Sequence, residues 1–154
     1  MTRGSFAPSD SEEDNSVSAE ANFARKLPQL TAENTPFWQG GRDGHLLIYK
    51  CRSCSDLFHP PQPVCPSCQG MDVSSEPVSG RGRVVSFTIN HQAWAPGLVV
   101  PFVIAIVELV EQTGLRFLSN IVNCDPDDVL IGMEVVVVFE QIEDVWLPLF
   151  EAAQ

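Results

Sequence analysis

The sequence predicts a mainly β protein, in which a short helical segment and a four-cysteine metal ribbon precede a small β-barrel. Three observations carry this expectation. The cysteines pair as Cys51-x-x-Cys54 and Cys65-x-x-Cys68; β-like runs follow one another from Gly80 to the C-terminus; and one capped helical turn stands before the fourth of them. A chain of 154 residues leaves room for one dominant core and a small satellite.

Residues 1–20 hold five acids and one base, with Phe6 their only aromatic. Such a stretch cannot bury enough apolar surface to offset the entropy of ordering, so it is expected to be a disordered acidic tail. Residues 21–44 form the helical segment. Its start reads as Thr35-Pro36, a hydroxyl cap followed by a residue whose missing N–H costs nothing at the first helical position, and Gly40-Gly41 or Gly44 can end it. Phe37 and Trp38 lie in its first turn and have two readings: packing onto their own domain, or docking a partner. Residues 45–78 form the ribbon, which Leu46-Leu47-Ile48-Tyr49-Lys50 enters as a short strand.

Residues 79–154 form the barrel. In Arg83–His91, alternation places Val85, Phe87, Ile89 and His91 on one face and Val84, Ser86, Thr88 and Asn90 on the other. The run Phe102–Val110 is apolar on both faces apart from Glu108, which suits a strand covered twice or one that meets another chain. Gln112-Thr113-Gly114 supplies a turn into Leu115–Val122. Next comes a short helix capped by Asp125, with Pro126 at its first position, Asp127 and Asp128 in its positive first turn, and Gly132 as its stop. Met133–Phe139 is a β-branched strand; Val145–Phe150 is the last, and Pro148 suits it to a sheet edge.

A two-residue gap lets one tight turn aim both sulfurs at a single ion, and two such turns close a tetrahedron. Zn2+ as a structural ion is the expected cofactor, with Cys51, Cys54, Cys65 and Cys68 as its ligands; iron fits the same spacing. Four thiolates leave no open position for water or substrate, so a catalytic role for the ion is not expected. Pro60, Pro61 and Pro63 stiffen the ten-residue connection and Pro66 follows just beyond it, which limits the entropy lost on metal binding. His59, inside that connection, reads as a surface or supporting residue, and Cys124 as a small buried apolar group.

The net charge of −11 falls partly on the barrel, where residues 79–154 hold three bases against ten acids. No basic stripe is available to displace counterions from phosphates, so a nucleic-acid partner is not expected. Arg81, Arg83, Arg116, Lys50 and Arg52 are the only plausible contacts for the phosphates of a CoA. The longest apolar stretch, 98–107, is about half the ~20 residues that span a bilayer, and no signal peptide is read, so a cytoplasmic location is expected. Neither a serine elbow nor a histidine with a motif-placed partner is present, so no catalytic residue is assigned. His91, at the end of its strand, closes the barrel or faces a substrate entrance. Trp94, in the loop that follows, suits an interface anchor, and Phe102 stands beside it as a further candidate.

The order Pro36-Phe37-Trp38, Cys51-x-x-Cys54, Phe58-x-Pro60-Pro61, Cys65-Pro66-x-Cys68, Gly80-x-Gly82-x-Val84-x-Ser86-Phe87-Thr88, Pro101-Phe102-Val103 and Gly132-Met133 resembles the DUF35 family over roughly residues 33–150. The resemblance implies a rubredoxin-like zinc ribbon ahead of an OB-fold barrel. It also implies a non-catalytic accessory subunit that docks on a thiolase-fold, lipid-transfer-protein-like enzyme acting on acyl-CoA, such as the aldolase or thiolase of steroid side-chain degradation. Alternatives are a partner of a hotdog-fold enoyl-CoA hydratase and a free-standing acyl-CoA-binding module.

Overall fold

The computed structural model describes residues 25–154, so the expected acidic tail lies outside the described residues. A five-residue helix α1 (Thr35–Gln39) runs into a 3-10 turn (Gly40–Asp43). The cap differs from the sequence reading. Thr35 is already inside the helix and its hydroxyl donates to the Thr31 carbonyl at 2.6 Å; Asn34 holds the cap position and makes no side-chain cap bond. Asn34 and Thr31 instead bond each other's backbone N–H groups, fixing the entry turn. Gly44, at φ +74, ends the 3-10 turn. Gly41 is where α1 meets the barrel: a Cβ there would lie 2.5 Å from both Phe139 and Trp146, so only glycine allows this close approach.

Strands β1 (Leu46–Cys51), β2 (Leu57–Phe58) and β3 (Val73–Val78) form a small antiparallel sheet in the order β2-β1-β3. Strands β4 (Arg81–Asn90), β5 (Phe102–Leu109), β6 (Arg116–Ile121), β7 (Glu134–Ile142) and β8 (Val145–Ala152) close a barrel in the order β4-β5-β6-β8-β7. One core serves both parts. Phe37 of α1 and Leu46 and Ile48 of β1 pack in the same cluster as Val84, Val103, Ala105, Val107, Phe117, Val135 and Phe150 of the barrel.

Three local readings of the sequence change. First, the β4–β5 register shifts between Val84 and Ser86, so Val85 is the extra residue of a bulge. Val84 therefore points into the core alongside Gly82, while Phe87 and Ile89 resume inward packing beyond the bulge; simple alternation had put Val84 outside. Second, Asp125 does cap, accepting from the Asp127 N–H at 3.0 Å, but it caps a three-residue 3-10 turn that is over by Val129; Gly132, at φ +88, belongs to the turn into β7. Third, β8 is not an edge. It pairs with β7 along its whole length and meets β6 in parallel at Ile121↔Phe150, and the Pro148 carbonyl accepts from the Ser119 hydroxyl at 2.7 Å. The proline sits where the barrel closes with few ladder bonds.

Glu108 lies on the outer face of β5, in register with Arg83 on one side and Arg116 on the other. It is only 3% exposed, because both guanidinium groups fold over it, at 2.6 Å and 2.7 Å, and the Gly114 N–H bonds it at 3.1 Å. The apolar strand thus carries its one acid outside, neutralised across two strand pairs. No helix among the described residues is long and apolar enough to cross a membrane.

Candidate metal centre and its junction with the barrel

The four sulfurs predicted as ligands come together, with the ligand atoms all within 4.8 Å of one another. Cys51 ends β1 and Cys54 follows through a turn closed by the Ser55 N–H to the Cys51 carbonyl at 2.8 Å. Cys65 and Cys68 repeat it with the Gln69 N–H to the Cys65 carbonyl at 3.0 Å. Ser55 and Gln69, one residue past each pair, both take positive φ, 64° and 62°. The two halves are therefore near copies of one knuckle. Gly70 lies where a Cβ would stand 3.2 Å from the Cys68 sulfur.

This donor set fits a tetrahedral ion. Cys51–Cys68 and Cys54–Cys65 are each separated by 3.6 Å, and zinc–sulfur bonds of ~2.3 Å at tetrahedral angles imply ~3.8 Å. Proton affinities point the same way. The backbone N–H of Cys54, with that of Ser53, holds the Cys51 thiol down to about 7, outweighing burial. The Asp56 N–H lowers Cys54 too, but Cys68, desolvation, Cys65 and Cys51 push it up to about 12. Four crowded sulfurs cannot all ionise unaided, and a dication removes that conflict. Cys51 and Cys65 are buried, Cys54 and Cys68 exposed.

His59 overturns its sequence reading. Rather than lying on the surface or beside the sulfurs, its ring packs between Phe37, at 4.6 Å, and Phe117, at 5.4 Å, where α1, the ribbon loop and β6 meet. Its Nδ1 is buried with no hydrogen-bond partner. Burial holds the imidazole neutral, its pKa down to about 4 from 6.5. Reasoning from sequence also missed Gln112, taken there as a turn residue. Its side-chain amide completes both backbone groups of Leu57, accepting from the N–H at 2.9 Å and donating to the carbonyl at 2.8 Å. The long-range pairing that places either residue leaves no local signal in the sequence.

His59 and Glu108 set two pH windows, an upper and a lower, that meet near pH 4. His59 binds its proton less readily in the folded chain, so stability is expected to fall as pH drops from 6.5 toward 4. The Arg83 guanidinium, then Arg116 and the Gly114 N–H, hold Glu108 down to about 2 from 4.5; its contribution is present above 4.5 and lost as pH falls toward 2. Urea melts between pH 8 and 3 should show both. His59→Phe should flatten the upper window and leave the lower one, and an unchanged upper slope would refute the assignment.

The remaining candidate residues scatter. Phe37 is 3% exposed and belongs to the core, which leaves Trp38 as the half-buried member of the pair, edge-on to Phe37 at 4.8 Å. His91 is exposed just beyond β4. Trp94, 64% exposed, and Phe102 line a cavity of about 430 Å³ at one end of the barrel with Val99, Ile121, Arg25 and Asn120. A smaller cavity of about 160 Å³ is lined by Trp38, His59, Phe117, Leu118, Leu147 and others. Arg25 and Asn120 border both, joined at 3.3 Å. The five candidate phosphate contacts do not all converge, although Arg81 and Arg83 border one cavity of about 440 Å³ beside Glu108. Lys50 pairs with Glu76 and Arg52 with Asp72, while Arg83 and Arg116 share Glu108. Cys124 packs against the core, its thiol raised by burial and by Asp128 and Asp125. Among the described residues none of the three histidines hydrogen-bonds a thiol or carboxylate.

Comparison with known proteins matches residues 38–73 to the rubredoxin-like zinc ribbon domain of ChsH2 and residues 75–140 to its C-terminal OB-fold domain. A DUF35 domain-containing scaffold protein of Methanocaldococcus jannaschii is 36% identical over 70% of this chain and 77% of its own length. The benzoylsuccinyl-CoA thiolase subunit BbsA of Thauera aromatica is 35% identical over 56% of this chain and 62% of its own. Among solved structures, a chain of the Ltp2-ChsH2(DUF35) aldolase superposes with TM-score 0.74 at 33% identity, covering 83% of this chain and all of that one. The chain spans only 40% of a probable enoyl-CoA hydratase alpha subunit from Thermomonospora curvata, to which it is 34% identical over 84% of its own length.

Proposed function

The chain belongs to the DUF35 family, and from that premise we propose that it is a non-catalytic subunit docking on a thiolase-like enzyme that acts on acyl-CoA thioesters. The observation that carries the reading is the fold match over the entire length of a DUF35 chain from an aldolase assembly. The site geometry supports it. Four converging thiolates, read as holding structural Zn2+, are a closed ligand set, and chemistry then belongs to the partner. In this reading the ribbon and α1 fix the geometry, and the barrel end bearing Trp94, Val99 and Phe102 meets the partner near its substrate entrance. Trp94 and Val99, 64% and 80% exposed beside a mostly apolar cavity, are the kind of rim that binding buries. A cytoplasmic site of action accords with five free cysteines, four of them gathered at the metal centre.

Co-purification from the native host tests this. A stoichiometric thiolase-like polypeptide is expected, and Trp94→Ala with Val99→Glu should weaken its binding by at least about tenfold, as loss of an interface anchor does. Thioester turnover by the isolated chain, or a lone chain in every fraction, would refute the accessory role; the latter favours a free-standing acyl-CoA-binding module. A second reading has its own support in the likeness to a hydratase alpha subunit, and recovery of a hotdog-fold hydratase in place of a thiolase would select it.

A further inference from the structure

We propose that the ribbon loop between the two cysteine pairs is a metal-dependent wall of the barrel, so that loss of the ion opens the aromatic cavity beside Trp38. The inference rests on the reading that the four thiolates hold a metal ion, and not on the identity of any partner.

Both ends of the loop, Cys54 and Cys65, belong to the four-sulfur site and would be clamped by its ion. Between them it has little structure of its own, since β2 is two residues long and contributes two register pairs, Tyr49↔Phe58 and Lys50↔Leu57. Apart from Leu46 and Ile48, which face the barrel core, the buried residues of the ribbon are Cys51, Phe58 and Cys65, with Tyr49 and Val73 against them, and two of those three are ligands. So small a core does not hold a loop without its metal. Yet this loop reaches the barrel at two points within five residues of Cys54. Leu57 takes both bonds of the Gln112 side chain, which projects from the turn after β5. His59 fills the space between Phe37 and Phe117, and Phe117 in turn packs 5.5 Å from Phe150 in the barrel core.

The cavity of about 160 Å³ has His59 in its wall, together with Trp38, Leu118 and Leu147. Freeing the loop removes that wall. The buried, unpaired Nδ1 of His59 adds direction, because it gains hydrogen bonds to water when the ring leaves. Metal occupancy is thereby transmitted from the sulfurs through Leu57 and His59 to the face bearing Trp38. Strand β4 near Thr88 and Ile89, which pairs there with β5 and not with β6, stands outside the path.

Hydrogen exchange on the full metal-loaded chain, before and after withdrawal of Zn2+ by a chelator under reducing conditions, tests the coupling. Exchange at Leu57 and at Phe117–Ser119 should rise at least tenfold, while the Thr88 and Ile89 amides change less than twofold. In a Trp94→Phe, Trp146→Phe background, emission from Trp38 should shift to the red. Junction protection that survives verified metal loss overturns the inference, and so does equal loss of protection at Thr88 and Ile89, which marks global unfolding. Gln112→Ala gives a second test with the metal in place: zinc stoichiometry should be unchanged while exchange at Phe117–Ser119 rises several-fold, and no rise there removes the polar tie from the mechanism. A chain that neither contains an ion nor takes up added Zn2+ sinks the metal reading itself, which elemental analysis distinguishes from the other failures.

Discussion

The Cys51→Ala, Cys54→Ala double variant is expected to bind no stoichiometric metal and to lose the ordered ribbon while the barrel remains folded. Two of four ligands go, and the two thiols that remain cannot hold the dication that keeps the set ionised. Structural zinc sites of this type supply roughly 10–16 kcal/mol of apparent binding free energy, and in a module with so few buried residues that binding free energy is also folding free energy. The barrel is held by Val84, Val103, Ala105, Val107, Val135 and Phe150, all at most 1% exposed, in a core distinct from the cluster around the sulfurs. The loss should therefore be local. Elemental analysis should find the zinc content falling from one per chain to near zero, and two-dimensional NMR should show β1–β3 resonances collapsing while the β4–β5 ladder persists. Binding of the partner subunit should weaken in parallel. Zinc content unchanged from the parent chain would contradict the assignment of these sulfurs.

What was legible in the sequence was local. The ligand set could be read because a metal knuckle is a property of four consecutive residues, and Asp125-Pro126 because a cap is a property of three. The barrel strands could be read because each run is long, β-branched and bounded by turns. What failed depended on partners far along the chain. The bulge at Val85 is set by how β4 must bend to meet both β5 and β7, so alternation alone misplaced Val84. Pro148 looked like an edge signal because proline cannot complete a ladder, but the closing seam at Ile121↔Phe150 needs few ladder bonds. His59 and Gln112 were invisible for the same reason: each acts through residues more than 20 positions away, Phe37 and Phe117 for one and Leu57 for the other. The candidate site is thus half legible, its chemistry in the sequence and its attachment to the barrel only in the fold.

That attachment converges on Phe117, and Phe117→Ala is expected to destabilise the chain by ~3–5 kcal/mol, the range for truncating a buried aromatic. Its ring lies 5.4 Å from His59, 5.5 Å from Phe150 and 6.3 Å from Phe37, so one truncation strips contacts from the ribbon loop, the barrel core and α1 together. The void would merge with the neighbouring cavity of about 160 Å³ rather than collapse, since the strands around it are held by the closed barrel. Incomplete collapse places the cost toward the upper end of that range. Leu118→Ala is the matched control: the next residue on the same strand, 69% exposed, should change stability by no more than about 0.5 kcal/mol. Urea denaturation of the zinc-loaded proteins separates the two. Comparable losses for both variants would show that β6 itself, and not the aromatic junction, is the sensitive element, whereas a large loss confined to Phe117→Ala assigns it to the junction.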